Sequence, residues 1–96
     1  MSYIISANQV KHWLSLKNLV LLVDIRDASQ YYRTRIHNAV HIPLEKIAAN
    51  ATSLKKYPRI VFYCTSGVLS KSLEGLLRSH HFQNAYILRG GLLSWK

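Results

Sequence analysis

The sequence predicts an α/β fold with a mainly parallel sheet. Two observations carry that prediction. Short apolar runs such as Leu19–Val23, Ile60–Tyr63 and Ala85–Leu88 are continuous rather than alternating, the pattern of strands buried on both faces. Between them lie segments with helical spacing, and strands alternating with helices build a sheet covered by helices.

Each element can be justified in turn. Ile4 and Ile5 form a short edge strand, and Ser6-Ala7-Asn8-Gln9 is a capping box with Ser6 as N-cap. Ala7, Val10, Trp13 and Leu14 then share one face, predicting a helix over 7–16 with Trp13 as its core anchor. The strand 19–23 ends in the charged stretch Asp24-Ile25-Arg26-Asp27, at the carboxyl edge where open α/β sheets bind ligands. Asp27 caps the next helix, with Gln30 at the matching position, and Tyr31 to Arg35 continue it. Ala39–Ile42 is a short strand stopped by Pro43. A weaker helical pattern runs from Leu44 to Ala51, and Arg59–Tyr63 is the next strand. Leu69, Leu73, Leu76 and Leu77 define a helical face with Ser70 as its N-cap. After the strand 85–88, Gly90-Gly91 makes a turn into a short helix from Leu92 to Trp95.

Composition bounds the function. Ninety-six residues, 49% hydrophobic and 18% charged, suit one globular core. A single cysteine rules out an internal disulfide and suits a reducing compartment. The N-terminal stretch lacks a secretory pattern, and no apolar run is long enough for a membrane span, so a soluble cytoplasmic protein is expected. Thirteen Lys and Arg against four acidic residues give a net charge of +9. The basic residues are scattered and no nucleic-acid motif accompanies them. A diffuse field serving solubility or anion steering is therefore expected, not a nucleic-acid site. His12, His37, His41, His80 and His81 show no metal-ligand spacing with the cysteine, so neither metal nor cofactor is expected.

The chemistry concentrates in Arg59–Ser72, where an apolar strand runs into Cys64, a loop holding Gly67, and a helix start. A cysteine with the ordinary pKa of about 8.5 holds little thiolate at neutral pH. Backbone N–H groups at a helix N-terminus are one remedy, and Gly67 permits an inward-turned nest of them. Thr65, Ser66 and Ser70 add hydroxyls. The loop is polar, so the thiol should be partly exposed. The alternative is a small buried apolar residue at a strand end, as free cysteines often are; local chemistry leaves the two evenly balanced.

Four motifs break the tie. L-V-D-I-R-D at 22–27, A-V-H-I-P-L at 39–44, C-T-S-G-V-L-S at 64–70 and L-R-G-G-L-L-S-W at 88–95 resemble, in order and spacing, the single-domain rhodaneses. The resemblance covers nearly the whole chain and implies a three-layer α/β/α domain over 1–96 with a mainly parallel five-stranded sheet. It implies a sulfurtransferase in which Cys64 takes sulfane sulfur from a donor such as thiosulfate or a persulfide. The resulting Cys64 persulfide is then discharged to an acceptor. By the same resemblance Thr65, Ser66, Gly67, Val68, Leu69 and Ser70 form the active-site loop, and Asp24 and Arg26 brace it. Arg35 stands where many members have a histidine. Basic residues common at positions 65 and 69 are absent, leaving Lys71 as the nearest cation in sequence. The donor is thereby left open.

With one cysteine the acceptor must be external: cyanide, a small thiol or another protein's cysteine. The positive surface favours an acidic protein as partner. A phosphatase or arsenate reductase of the same fold would need histidine before the cysteine and arginine at the loop's end; Tyr63 and Ser70 occupy those places. The remaining alternative is a non-catalytic rhodanese module that binds a protein partner.

Overall fold

In the computed structural model, which describes residues 3–17 and 19–95, five parallel strands form one sheet in the order β1-β5-β4-β2-β3. The strands are β1 (Ile4–Ile5), β2 (Leu21–Asp24), β3 (Val40–His41), β4 (Ile60–Tyr63) and β5 (Ala85–Leu88). The helices are α1 (Ala7–Ser15), α2 (Ala28–Arg33), α3 (Ile47–Leu54) and α4 (Ser70–Ser79). A 3₁₀ turn, Leu44–Lys46, leads into α3, and a second, Gly91–Ser94, closes the chain. The three-layer α/β fold expected from the resemblance is the fold observed.

The central strand is β4, paired with β2 through Val23↔Phe62 and with β5 through Phe62↔Ile87. All four of its residues are buried, which is why the sequence shows no alternation there. Its residues nonetheless face opposite ways. Ile60 and Phe62, with Cys64 just beyond, join a core with Ile47, Leu54, Leu73 and Leu77 of α3 and α4. Val61 and Tyr63 join a second core with Val10 of α1, Ile36 and Leu88.

Several local expectations need correction. The apolar run at 19–23 begins before its strand: Leu19 is 73% exposed, and pairing starts where the Leu21 amide donates to the Arg59 carbonyl. Trp13 does pack against the second core, but at its margin. It is half-buried, packs edge-on against Tyr86, and carries the Arg59 guanidinium 4.3 Å from its ring centroid. Ser6 does cap α1, accepting from the Gln9 amide at 3.1 Å. Asp27 stands at the N-cap of α2, but its side chain makes no capping bond. That helix buries none of its residues and ends at Arg33, short of Arg35, because it has no apolar face to extend. The strand around Val40 is confined to Val40–His41, and the helix expected over 44–51 is shifted, running from Ile47 to Leu54 behind the 3₁₀ turn.

Candidate active site

The site is assembled at the carboxyl end of β4, where the ladder stops and the chain must turn. Cys64 is the first residue past the strand and is 97% removed from solvent, with 3% relative exposure. This corrects the expectation of a partly exposed thiol. The loop curls back over the sulfur, and the Gly67 N–H donates to Cys64 Sγ at 3.1 Å. Gly67 has φ of 87°, a conformation that glycine adopts without steric cost. The amides of Ser66, Val68 and Leu69 have no hydrogen-bond partner among the described residues. They are unpaired donors in the loop that follows the cysteine.

Ser70 is the first residue of α4, not its cap; Leu69 holds the cap position and caps nothing with its side chain. The Ser70 hydroxyl instead donates to the Gly67 carbonyl at 2.7 Å, and the Ser70 amide donates to the same oxygen at 3.1 Å. Ser70 thus holds the shape of the loop and does not donate to the sulfur. Lys71, one residue on, is exposed on α4. Arg35 is engaged elsewhere: it donates to the Tyr31 carbonyl at 3.2 Å and lies 4.6 Å over the Tyr31 ring.

The final 3₁₀ turn clamps the loop from the other side. The Leu92 amide donates to the Cys64 carbonyl at 2.8 Å, and the Leu93 amide to the Thr65 carbonyl at 3.0 Å. Such close approach is possible only because residue 91 is glycine. A Cβ there would stand 2.4 Å from the Cys64 carbonyl oxygen and 2.7 Å from the Thr65 carbonyl carbon, and Gly91 has φ of 60°. Gly91→Ala is therefore expected to destabilise the protein by about 2–5 kcal/mol, combining left-handed strain with overpacking. Chemical denaturation measures this. The Gly-Gly pair preceding a short apolar segment was the signal in the sequence for a final turn placed beside the loop.

Behind the loop, β2 contributes the D-x-R pair. Asp24, fully buried, accepts from Arg26 Nε at 3.0 and 3.1 Å, from Arg26 Nη2 at 2.8 Å, and from the Arg26 amide at 2.9 Å. Arg26 Nη2 also donates to the Thr34 and Gln30 carbonyls, and His41 Nε2 donates to the Arg26 carbonyl at 2.6 Å. The hydrogen bond to Asp24 holds the Arg26 guanidinium above its ordinary pKa against the opposing effect of burial, and Cys64 lies within its electrostatic reach. The pair ties β2 to the segment before β3 and lies next to the site.

Tyr63 is a second functional neighbour that sequence reasoning missed. It is fully buried, and its phenol oxygen accepts from the Ile36 amide at 3.1 Å. A tyrosine within an otherwise aliphatic buried run was the available signal, since a buried phenol needs a polar partner. Burial raises its pKa above the ordinary value of 10, Asp24 adds to the rise, and the Ile36 N–H opposes it. The native protein therefore keeps Tyr63 protonated while the unfolded chain ionises at about pH 10. Above that pH the unfolded state binds fewer protons, so stability falls as pH rises. Absorbance titration should find Tyr63 silent until the protein unfolds. Tyr63→Phe should remove the alkaline loss assigned to this group and cost about 1–3 kcal/mol at neutral pH, because the Ile36 N–H is left unpaired.

Among the described residues no group of His, Cys, Asp and Glu could hold a metal, and no helix is long and apolar enough to cross a membrane. His80 and His81 fall just past α4 rather than in its last turn.

Comparison with known proteins accords with this geometry. The Rhodanese-like domain model matches residues 6–96. Thiosulfate sulfurtransferase GlpE of Coxiella burnetii is 30% identical over 92% of this chain and 86% of its own length. A rhodanese-like domain protein from Staphylococcus aureus superposes with a TM-score of 0.82 at 27% identity, covering 100% of this chain and 92% of that one. The rhodanese-like domain of an Anabaena protein gives 0.83 at 28% identity, covering 99% and 74%. With the family model spanning nearly its whole length and the motif cysteine at the end of the central strand, the chain belongs to the rhodanese-like domain family.

Proposed function

We propose that the protein is a rhodanese-like sulfurtransferase that carries sulfane sulfur as a persulfide on Cys64. The observation that carries this reading is the Gly67 N–H on Cys64 Sγ at the carboxyl end of the central strand, beside loop amides with no other partner. A thiolate attacks the outer sulfur of a donor; the donor's S–S bond breaks as a new S–S bond forms on Cys64. The added sulfur then faces the unpaired amides of Ser66, Val68 and Leu69, which suit a developing or resident negative charge. Asp24 and Arg26 act as positioning residues, holding β2 and the following segment behind the loop. Thr65 and Ser66 line the loop; Ser70 keeps its turn.

The chain has one cysteine, so discharge requires an external nucleophile such as a small thiol, cyanide or a cysteine of another protein. A net charge of +9 favours encounter with an acidic acceptor protein. The relative named for thiosulfate makes that anion the first donor to test. Incubation with sulfane donors should yield cyanide-labile sulfur on the protein. A protein that binds partners without catalysis would yield none.

A further inference from the structure

Basic residues that are scattered along the chain are gathered by the fold. All the strand pairings are parallel, so the connections entering β2, β4 and β5 meet at the amino edge of the sheet, away from Cys64. Those connections and the helix ends before them hold Lys17, Lys55, Lys56, Arg59 and Arg78, with His80 and His81. They hold no acid: Asp24 ends β2, Asp27 precedes α2, Glu45 lies in the turn after β3, and Glu74 is in the middle of α4. The same edge exposes apolar side chains. Leu16, at the C-cap of α1, is 59% exposed, Leu19 73% and Tyr57 45%. Leu19 and Arg59 line one cleft with Pro58, Asn84 and Tyr86, and Arg59 lies over Trp13 of α1, so the leucines and the cations share one surface. Cations at the carboxyl ends of these helices complement the helix dipoles, but that role does not call for exposed leucines between them.

We propose that this amino edge docks on an anionic membrane surface, with Leu16, Leu19 and Tyr57 entering the interface and Lys17, Lys55, Lys56 and Arg59 meeting lipid phosphates. An anionic bilayer satisfies both halves of the patch: the apolar side chains leave water, and the cations gain from the negative surface potential. Single-stranded nucleic acid fits less well. Its bases would stack on aromatic faces, but Arg59 already lies 4.3 Å over the Trp13 ring, and Phe82 is buried beneath Lys55. Nucleic acid also offers nothing to cover two exposed leucines. Docking by this edge leaves the site free. Arg59 and Cys64 flank β4 at its two ends, about 16 Å apart at the usual rise per strand residue. The mouth of the site therefore points away from the bilayer and stays open to soluble donors and acceptors.

The test is cosedimentation of the full chain with vesicles of phosphatidylcholine alone and of equal phosphatidylcholine and phosphatidylglycerol. Partition should require phosphatidylglycerol and weaken as salt rises. Lys55→Glu/Lys56→Glu should lower it at least about tenfold, and Leu16→Ser/Leu19→Ser about tenfold. All four side chains are exposed, so these variants keep the fold. Val68→Ser/Leu93→Ser, at the opposite edge, should bind vesicles as the parent does. Absence of partition onto the anionic vesicles overturns the proposal. Loss in the lysine variant alone also overturns it, because that is charge attraction without insertion. Loss in Val68→Ser/Leu93→Ser instead would put the membrane face at the mouth of the site, against the proposal. Binding of single-stranded oligouridine in place of vesicles, abolished in Lys55→Glu/Lys56→Glu and kept in Leu16→Ser/Leu19→Ser, overturns it in favour of nucleic acid.

Discussion

Cys64→Ser should abolish sulfur loading while leaving the protein folded. Serine keeps the shape of the side chain and offers an oxygen to the Gly67 N–H that now meets Sγ at 3.1 Å, so the buried amide stays satisfied. The stability change should stay within about 1.5 kcal/mol, the range of a small isosteric core exchange. Activity has no such compensation. An alkoxide is inaccessible to serine in a loop that offers no general base: the ring nitrogen Nε2 of His41 is committed to the Arg26 carbonyl, and Ser70 is bonded to Gly67. Cyanide-labile sulfur should therefore fall to background, with the melting temperature nearly unchanged. Retained sulfur loading in this variant would place the nucleophile elsewhere.

The largest loss of stability is expected from Arg26→Ala. Asp24 has 0% exposure and spends its carboxylate on Arg26. Removing the guanidinium leaves a buried charge with the residue 26 amide and the neighbouring Tyr63 phenol in place of its cation, and breaking such a pair costs about 3–5 kcal/mol. The Thr34 and Gln30 carbonyls lose a donor at the same time. For a domain of this size, each kcal/mol lowers the melting temperature by about 4–8 °C, so the variant should melt far below the parent. Asp24→Leu/Arg26→Met should recover much of the loss, because apolar packing replaces the pair and no charge is left unmatched. If the double variant is as unstable as Arg26→Ala, then geometry imposed by the pair, not the uncompensated charge, dominates. Sulfur loading measured on the folded double variant then reports how far the pair positions the loop.

The parts of the fold that were legible in the sequence are those where burial is continuous or a cap is local. β4 and β5 announce themselves because both faces of the sheet are covered, so each residue of Ile60–Tyr63 and nearly all of Ala85–Leu88 is apolar and buried. Ser6 and Gln9 are three residues apart, and their bond is decided within one turn. The misreadings share another cause. An apolar run does not carry its own register, so Leu19 reads like Leu21 although only the latter meets β4. Asp27 has the right residue type at the right position, but no bond obliges its side chain to turn inward. Ser70 lies in both a loop motif and a helix start, and the Gly67 carbonyl offers its hydroxyl a partner that precludes capping.

The candidate site was legible in its nucleophile and loop, and much less in what surrounds them. Cys64, Gly67 and the D-x-R pair are motif positions. The contacts that shape the cup are made between residues far apart in sequence: Leu92 and Leu93 on the Cys64 and Thr65 carbonyls, and Ile36 on Tyr63. Spacing along the chain contains no direct trace of such bonds. Burial of Cys64 follows from them, which is why a polar-looking loop encloses a sulfur with 3% exposure.

The central claim is that sulfur resides on Cys64 between donor and acceptor. Intact mass after treatment with a sulfane donor, followed by peptide mapping, tests it most directly. The expected result is a gain of one sulfur atom on the peptide that contains Cys64, removed by cyanide and missing in Cys64→Ser. No gain with either thiosulfate or an organic hydropersulfide, from a protein shown to be folded, would contradict it.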